Sequence, residues 1–246
     1  MRLADSELAV ILPAYNEEAN IGRVVRELRT RWPGADVIVV NDGSTDGTSQ
    51  EARAAGAGGL DLPFNLGIGG AVQTGYMYAV GRGYPLVARL DGDGQHDPAA
   101  LEVLLAPILA GEADLVIGSR YLAPSISPNA YRPTLARRLG IRFFSSLVSL
   151  LAGQRFTDAT SGLQACTAEV ARVCARDFPA DYPEVECLAV LARAGYRVRE
   201  VAVEMRPRLA GRSSITPARS LYFALKVTLV LLLTVLRSQE VRPWKG

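Results

Sequence analysis

The chain has 246 residues, 49% hydrophobic and 21% charged, enough for one sizeable core with a C-terminal extension and too few for two full domains. Three cysteines with no C-x-x-C pair (Cys166, Cys174 and Cys187) argue against a disulfide framework and fit a reducing compartment. The net charge of +2 is unevenly divided: residues 120–155 hold six arginines and no acid, residues 205–246 carry +7, and the remainder carries −11.

The first residues are charged and precede only a short apolar run, so no signal peptide is expected. Residues 8–12, closed by Pro13, and 36–40, closed by Asn41-Asp42-Gly43, read as buried parallel strands. Between them, residues 17–31 place Ile21, Val24, Val25 and Leu28 at helical spacing, and Trp32-Pro33-Gly34 ends the helix. The alternation continues with helices at 45–55 and 70–81, a strand at 86–90, a helix at 98–110 and a strand at 114–117. It then breaks into a Pro/Ser-rich loop at 122–129. Helices at 133–152 and 184–194, a strand at 197–204 and a basic turn at 206–214 follow. This order predicts an α/β fold with a mostly parallel sheet flanked by helices.

Residues 220–236 form the most apolar segment, but only ten residues separate Lys226 from Arg237, too few to cross a hydrocarbon layer of roughly 30 Å. With basic flanks, the segment reads as a terminal helix on a membrane surface, against a partner protein, or packed on the domain. The expected division is therefore a domain at 1–214 and an apolar, basic C-terminal helix at 215–246. The basic stretches lack interleaved stacking aromatics and no DNA-binding motif is legible, so nucleic acid is not an expected partner.

In parallel sheets, ligands collect at the carboxyl ends of strands. Those ends carry Tyr15-Asn16-Glu17, Asn41-Asp42 and Asp91-Gly92-Asp93. Two carboxylates one residue apart suit a hard divalent cation, Mg2+ or Mn2+, whose other positions go to water and phosphate oxygens. His96, the only histidine, is either a further ligand or a supporting residue behind the site. Asp42 is placed to accept a hydrogen bond from a base or ribose, with Ser44 or Thr45 capping the next helix. Residues 65–70 read as a tight turn before a helix, or as backbone amides near a phosphate.

Taken in order, Val10-Ile-Leu-Pro-Ala-Tyr-Asn-Glu17, Val39-Val-Asn-Asp-Gly-Ser-Thr-Asp-Gly47, Asn65-Leu-Gly67, Asp91-Gly-Asp-Gly-Gln-His96 and Gly118-Ser-Arg-Tyr121 resemble family 2 glycosyltransferases with the GT-A fold. Asp158-Ala-Thr-Ser-Gly162 and Arg208-Leu-Ala-Gly-Arg-Ser213 resemble the dolichyl-phosphate mannosyltransferase branch, which includes polyprenyl-phosphate glucosyltransferases. The resemblance implies that Pro13, Tyr15, Glu17, Asp42 and Gly92, with Asp91, Asp93 and Arg208, hold a nucleotide-sugar such as GDP-mannose or UDP-glucose. It gives Asp91, Asp93 and Gln95 the metal, and Arg120, Arg137 or Arg138, and Ser213 the acceptor phosphate. Asn41, Ala159, Leu163 and Arg212-Ser213-Ser214 depart from the usual pattern, which leaves sugar and acceptor preference open.

An acceptor phosphate is already anionic and needs cations rather than a general base, which fits the acid-free arginine stretch. Asp91, Asp93 and Arg120 are then the expected catalytic set, on a peripheral enzyme at the cytoplasmic membrane face. The expected partners are the donor, a polyprenyl or dolichyl phosphate, the membrane surface and, in one reading, a small membrane protein. A sugar or small-molecule hydroxyl acceptor would need a base, for which Glu184 and Glu186 are the candidates, unless they are surface acids at a helix start. An inactive scaffold subunit is the alternative outside enzymes.

Overall fold

A computed structural model describes residues 7–122, 134–179, 183–207 and 226–229. The chain begins with β1 (Leu8–Ala14), α1 (Glu18–Arg31), β2 (Asp36–Asn41), α2 (Thr48–Ala54), β3 (Gly58–Asp61) and α3 (Gly67–Gly81). There follow β4 (Leu86–Arg89), α4 (Ala100–Leu109), β5 (Leu115–Ser119), α5 (Leu135–Ala152), β6 (Gln164–Thr167), α6 (Ala168–Arg176), α7 (Pro183–Arg193) and β7 (Val198–Ala202). The strands form one sheet in the order β3-β2-β1-β4-β6-β5-β7.

Strand β1 is buried along its whole length because helices cover both faces of the sheet. Its side chains alternate between two cores. Ala9 and Ile11 join Val72 and Tyr76 of α3, Phe144 of α5, Val170 of α6 and Leu188 of α7. Leu8, Val10 and Leu12 join Ile21, Val25 and Leu28 of α1 and Leu101, Leu104 and Leu105 of α4.

All pairings are parallel except those of β6, which runs antiparallel between β4 and β5. Its direction matters for function, because Gln164 at its start lies opposite Arg89 and Ile117 near the ends of its neighbours. The segment leading into β6 thereby reaches the edge where β1, β2, β4 and β5 finish.

Strands β3 and β6 and helix α6 were not anticipated, and α2 and α3 start at other residues than expected, α3 at Gly67 rather than 70. Strand β3 contains only one apolar residue and pairs on one side, so no buried-strand signal exists. Strand β6 is a four-residue run of small and polar residues, and α6 follows it without an intervening turn. Helix α2 starts three residues later than expected because residues 44–47 are held in a turn. The calls at 123–133, most of the basic turn and most of 220–236 lie outside the described residues. Residues 226–229 are helical, with Val227 buried in the first core and Leu229 exposed.

Candidate active site

The ends of β1 and β2 are tied together by side chains acting as turn donors and acceptors. Asn16 sits in the left-handed region at φ 54°. Its carboxamide oxygen accepts the Thr45 amide at 2.9 Å, and its own amide donates to Ser44 Oγ at 2.9 Å. The Glu17 amide donates to Thr48 Oγ1 at 2.8 Å, while its carboxylate accepts from Asn20 at 2.7 Å. Tyr15 is half exposed beside this turn, and Pro13 is buried at the strand end. Asn41, the departure from the family pattern, donates to Asp61 at 2.9 Å and accepts the Ser44 amide at 3.1 Å.

Asp42 is only 4% exposed. Its Oδ1 accepts the Leu66 amide at 2.7 Å, so the first amides of α3 point at this carboxylate. Of residues 65–70, expected as a turn, 67–70 already belong to α3, and Leu66 just before it meets a carboxylate of the chain itself. Burial raises the Asp42 carboxyl above the usual carboxylate range, and the amides of Leu66 and Gly67 offset part of that rise.

Asp91 and Asp93 follow β4 on a loop pressed against β1. A Cβ at Gly92 would lie 3.1 Å from the Pro13 carbonyl oxygen and 3.2 Å from Ile21, so the close approach favours glycine. Asp93 Oδ1 accepts the Gln95 amide at 3.0 Å. The Gln95 side-chain nitrogen lies 3.4 Å from the Arg206 carbonyl oxygen. His96 is buried and takes the supporting position: Nδ1 accepts the Asp91 amide at 2.9 Å, which leaves the proton on Nε2. Burial lowers its pKa and favours neutral imidazole.

Among the described residues the Asp91 carboxylate has two ion-pair neighbours and neither is close enough for a hydrogen bond. Oδ1 lies 3.8 Å from Arg89 Nη2 and Oδ2 lies 3.7 Å from His96 Nε2, both beyond hydrogen-bonding distance. Among the described residues no three His, Cys, Asp or Glu side chains gather into a metal cage. A cation at Asp91 and Asp93 would need its remaining ligands from elsewhere, such as a bound diphosphate.

Arg120 extends from the end of β5 and forms a two-pronged pair with Asp158, Nε to Oδ2 at 2.6 Å and Nη2 to Oδ1 at 2.7 Å. Asp158 is fully buried, and its amide and those of its neighbour are held by Glu200 of β7. Arg120 is a fixed, partly neutralised cation. Arg137 and Arg138 are exposed in the first turns of α5, behind the Thr134 cap. Arg208 and Ser213 lie outside the described residues.

Arg89 escaped the sequence reading. It is 2% exposed in β4 and donates through Nη2 to Glu184 at 2.6 Å, whose side chain is 13% exposed. Glu184 is therefore the partner of a buried cation, and the surface-acid reading of it is corrected. The only local signal was an arginine inside an apolar strand two residues before the aspartate pair.

Comparison with known proteins bears on the family and the fold. Residues 9–171 match the profile described as Glycosyl transferase family 2. An undecaprenyl-phosphate mannosyltransferase of Micrococcus luteus is 33% identical, over 84% of this chain and 86% of its own. A UDP-N-acetylglucosamine–dolichyl-phosphate N-acetylglucosaminyltransferase of Methanococcus voltae is 28% identical, over 82% and 86%. In structure, glucosyl-3-phosphoglycerate synthase of Mycobacterium tuberculosis, solved with Mn2+, UDP and phosphoglyceric acid, superposes with a TM-score of 0.69. It is 24% identical, over 97% of this chain and 80% of that one, a likeness of fold.

Proposed function

Because the chain belongs to glycosyl transferase family 2, in its polyprenyl-phosphate branch, we propose that it moves a hexose from GDP-mannose or UDP-glucose onto a polyprenyl or dolichyl phosphate. The observation that carries the reading is the Asp91 carboxylate, held at a strand end beside Asp93 with its flanking donors beyond bonding distance. Mg2+ or Mn2+ bound there supplies Lewis-acid stabilisation of the departing diphosphate. Asp91 and Asp93 hold the ion, with Gln95 beside them. His96 fixes the loop through the Asp91 amide.

Tyr15, Glu17 and Asp42 line the neighbouring strand ends, where the nucleoside would lie, with Pro13 and Gly92 forming the close backbone contact between them and Arg208 completing the donor site. Arg120, Arg137, Arg138 and Ser213 would orient the acceptor phosphate. Its oxygen attacks the anomeric carbon as the bond to the diphosphate breaks, inverting the configuration, and no proton need be removed from the nucleophile. Of the two candidate bases for a hydroxyl acceptor, Glu184 and Glu186, the first already spends Oε1 on Arg89. No helix among the described residues is long and apolar enough to cross a membrane. In this reading, domain 1–214 carries the chemistry at the cytoplasmic face and residues 215–246 contact the membrane or a small membrane protein.

The test is incubation of the purified full chain with each donor and a polyprenyl phosphate, with and without Mn2+. Lipid-linked sugar that depends on Mn2+ is expected from one donor, and Asp93→Ala is expected to abolish it. Product from neither donor, or unchanged turnover in Asp93→Ala, overturns the reading.

A further inference from the structure

Among the described residues Arg89 is the one buried arginine or lysine, and its surroundings are unusual for a buried guanidinium. Nη2 faces two carboxylates at once, Glu184 Oε1 at 2.6 Å and Asp91 Oδ1 at 3.8 Å. Among the described residues, Nε and Nη1 have no hydrogen-bond partner. Buried guanidiniums are retained when paired, and one deprived of its partner turns to the nearest acceptor. Here that acceptor is Asp91, because Gly162 leaves the space between them open: a Cβ there would lie 3.1 Å from Asp91 Oδ1 and 3.2 Å from Arg89 Nη2.

We propose that Glu184 is a counter-ion that holds Arg89 away from Asp91, so that the Asp91 carboxylate stays available to the divalent cation of the donor complex. Arg89 and Glu184 are positioning residues that act through Asp91. The inference rests on the metal reading of Asp91 and Asp93 made above. It also assigns a role to the first turn of α7, which carries Glu184 to the base of the site from 95 residues away in sequence. Whatever displaces α7 from the sheet releases Arg89 onto Asp91 and weakens cation binding without touching either aspartate.

The sign of the effect separates this role from simple support of the fold. With Glu184→Gln, Arg89 loses its counter-charge and pairs with Asp91, and Mn2+ affinity in the presence of UDP or GDP is expected to fall by on the order of tenfold. With Arg89→Met the competitor is gone and Mn2+ binds as tightly as in the wild type or more so. The double variant Arg89→Met/Glu184→Gln is expected to recover the affinity lost in Glu184→Gln.

The measurement is a Mn2+ binding isotherm on the full chain with each diphosphate, read by electron paramagnetic resonance of the free ion, alongside a melting curve. Wild-type affinity in Glu184→Gln, or equal loss in the single and double variants, overturns the proposal. If Glu184→Gln does not fold, Arg89→Met alone decides: weaker Mn2+ binding than the wild type overturns it, and equal or tighter binding supports it. Absence of Mn2+ binding by the wild type with either diphosphate removes the metal reading itself and this inference with it.

Discussion

In the proposed reading, Asp42 serves binding at the expense of the fold. Its carboxyl is pushed above the ordinary range by burial, with the Leu66 and Gly67 amides offsetting part of the rise. A group raised in the folded state binds its proton more tightly there. Its stabilising contribution is full below the unfolded pKa of about 3.9 and is lost as pH rises through the folded value. At neutral pH the ionised Asp42 is thus a liability, offset only by the amides. Asp42→Asn keeps an acceptor for Leu66 and removes the charge. It is expected to melt at the wild-type temperature or up to about 2 °C higher at pH 7, with the difference shrinking as pH falls toward 4. Nucleoside diphosphate binding, by calorimetry, is expected to weaken about tenfold through loss of a charged acceptor. Asp42, Asp91 and Asp93 were legible because each stands where an apolar strand stops. Arg89 was not, because its partner on α7 leaves no mark in the sequence around it.

Among the elements, the βα units up to β5 were legible wherever the strand is an apolar run with turn residues behind it, as in β1, β2, β4 and β5. Strand β3 was not: Gly58-Gly59-Leu60-Asp61 is defined only by its ladder with β2. Strand β6 takes its direction from the two strands it joins, which no local pattern encodes. Helix packing adds a further constraint at α3, which lies directly on β1. A Cβ at Gly75 would come within 2.5 Å of Ile11 Cγ2 and 3.1 Å of its Cδ1. Glycine inside a helix is otherwise unfavourable relative to alanine, so at this position it serves close packing. Gly75→Ala is expected to destabilise the protein by about 1–3 kcal/mol through overpacking. Adding Ile11→Ala is expected to cost less than the two single changes together, because the new methyl occupies part of the space left by isoleucine. Chemical denaturation of the four proteins measures the coupling; strict additivity would mean that α3 moves away from β1 instead.

At the scale of the whole molecule, the uneven charge acquires a direction. The arginines of residues 120–155 differ in exposure: Arg120 is half-buried against Asp158, and Arg137, Arg138 and Arg142 are exposed on α5 beside exposed Leu135, Leu139 and Phe143. A helix presenting apolar side chains between arginines suits a surface of lipid and phosphate, and it follows the strand, β5, that ends at the candidate site. Of residues 215–246 only 226–229 are described, and among them Val227 is buried in the core shared by α5, α6 and α7. Truncation of the tail would therefore remove packing as well as any membrane contact, and charge substitution gives the cleaner test. Arg137→Gln/Arg138→Gln is expected to raise the KM for polyprenyl phosphate in vesicles by about tenfold, the scale of a lost charge-assisted contact. Nucleoside diphosphate affinity should stay as it is, because neither arginine belongs to the donor site. The salt dependence of the wild-type KM should flatten in the variant, since exposed charges are screened within about 10 Å at 0.1 M salt. A KM that does not move, or one that rises with an equal loss of donor binding, would take the acceptor phosphate away from α5.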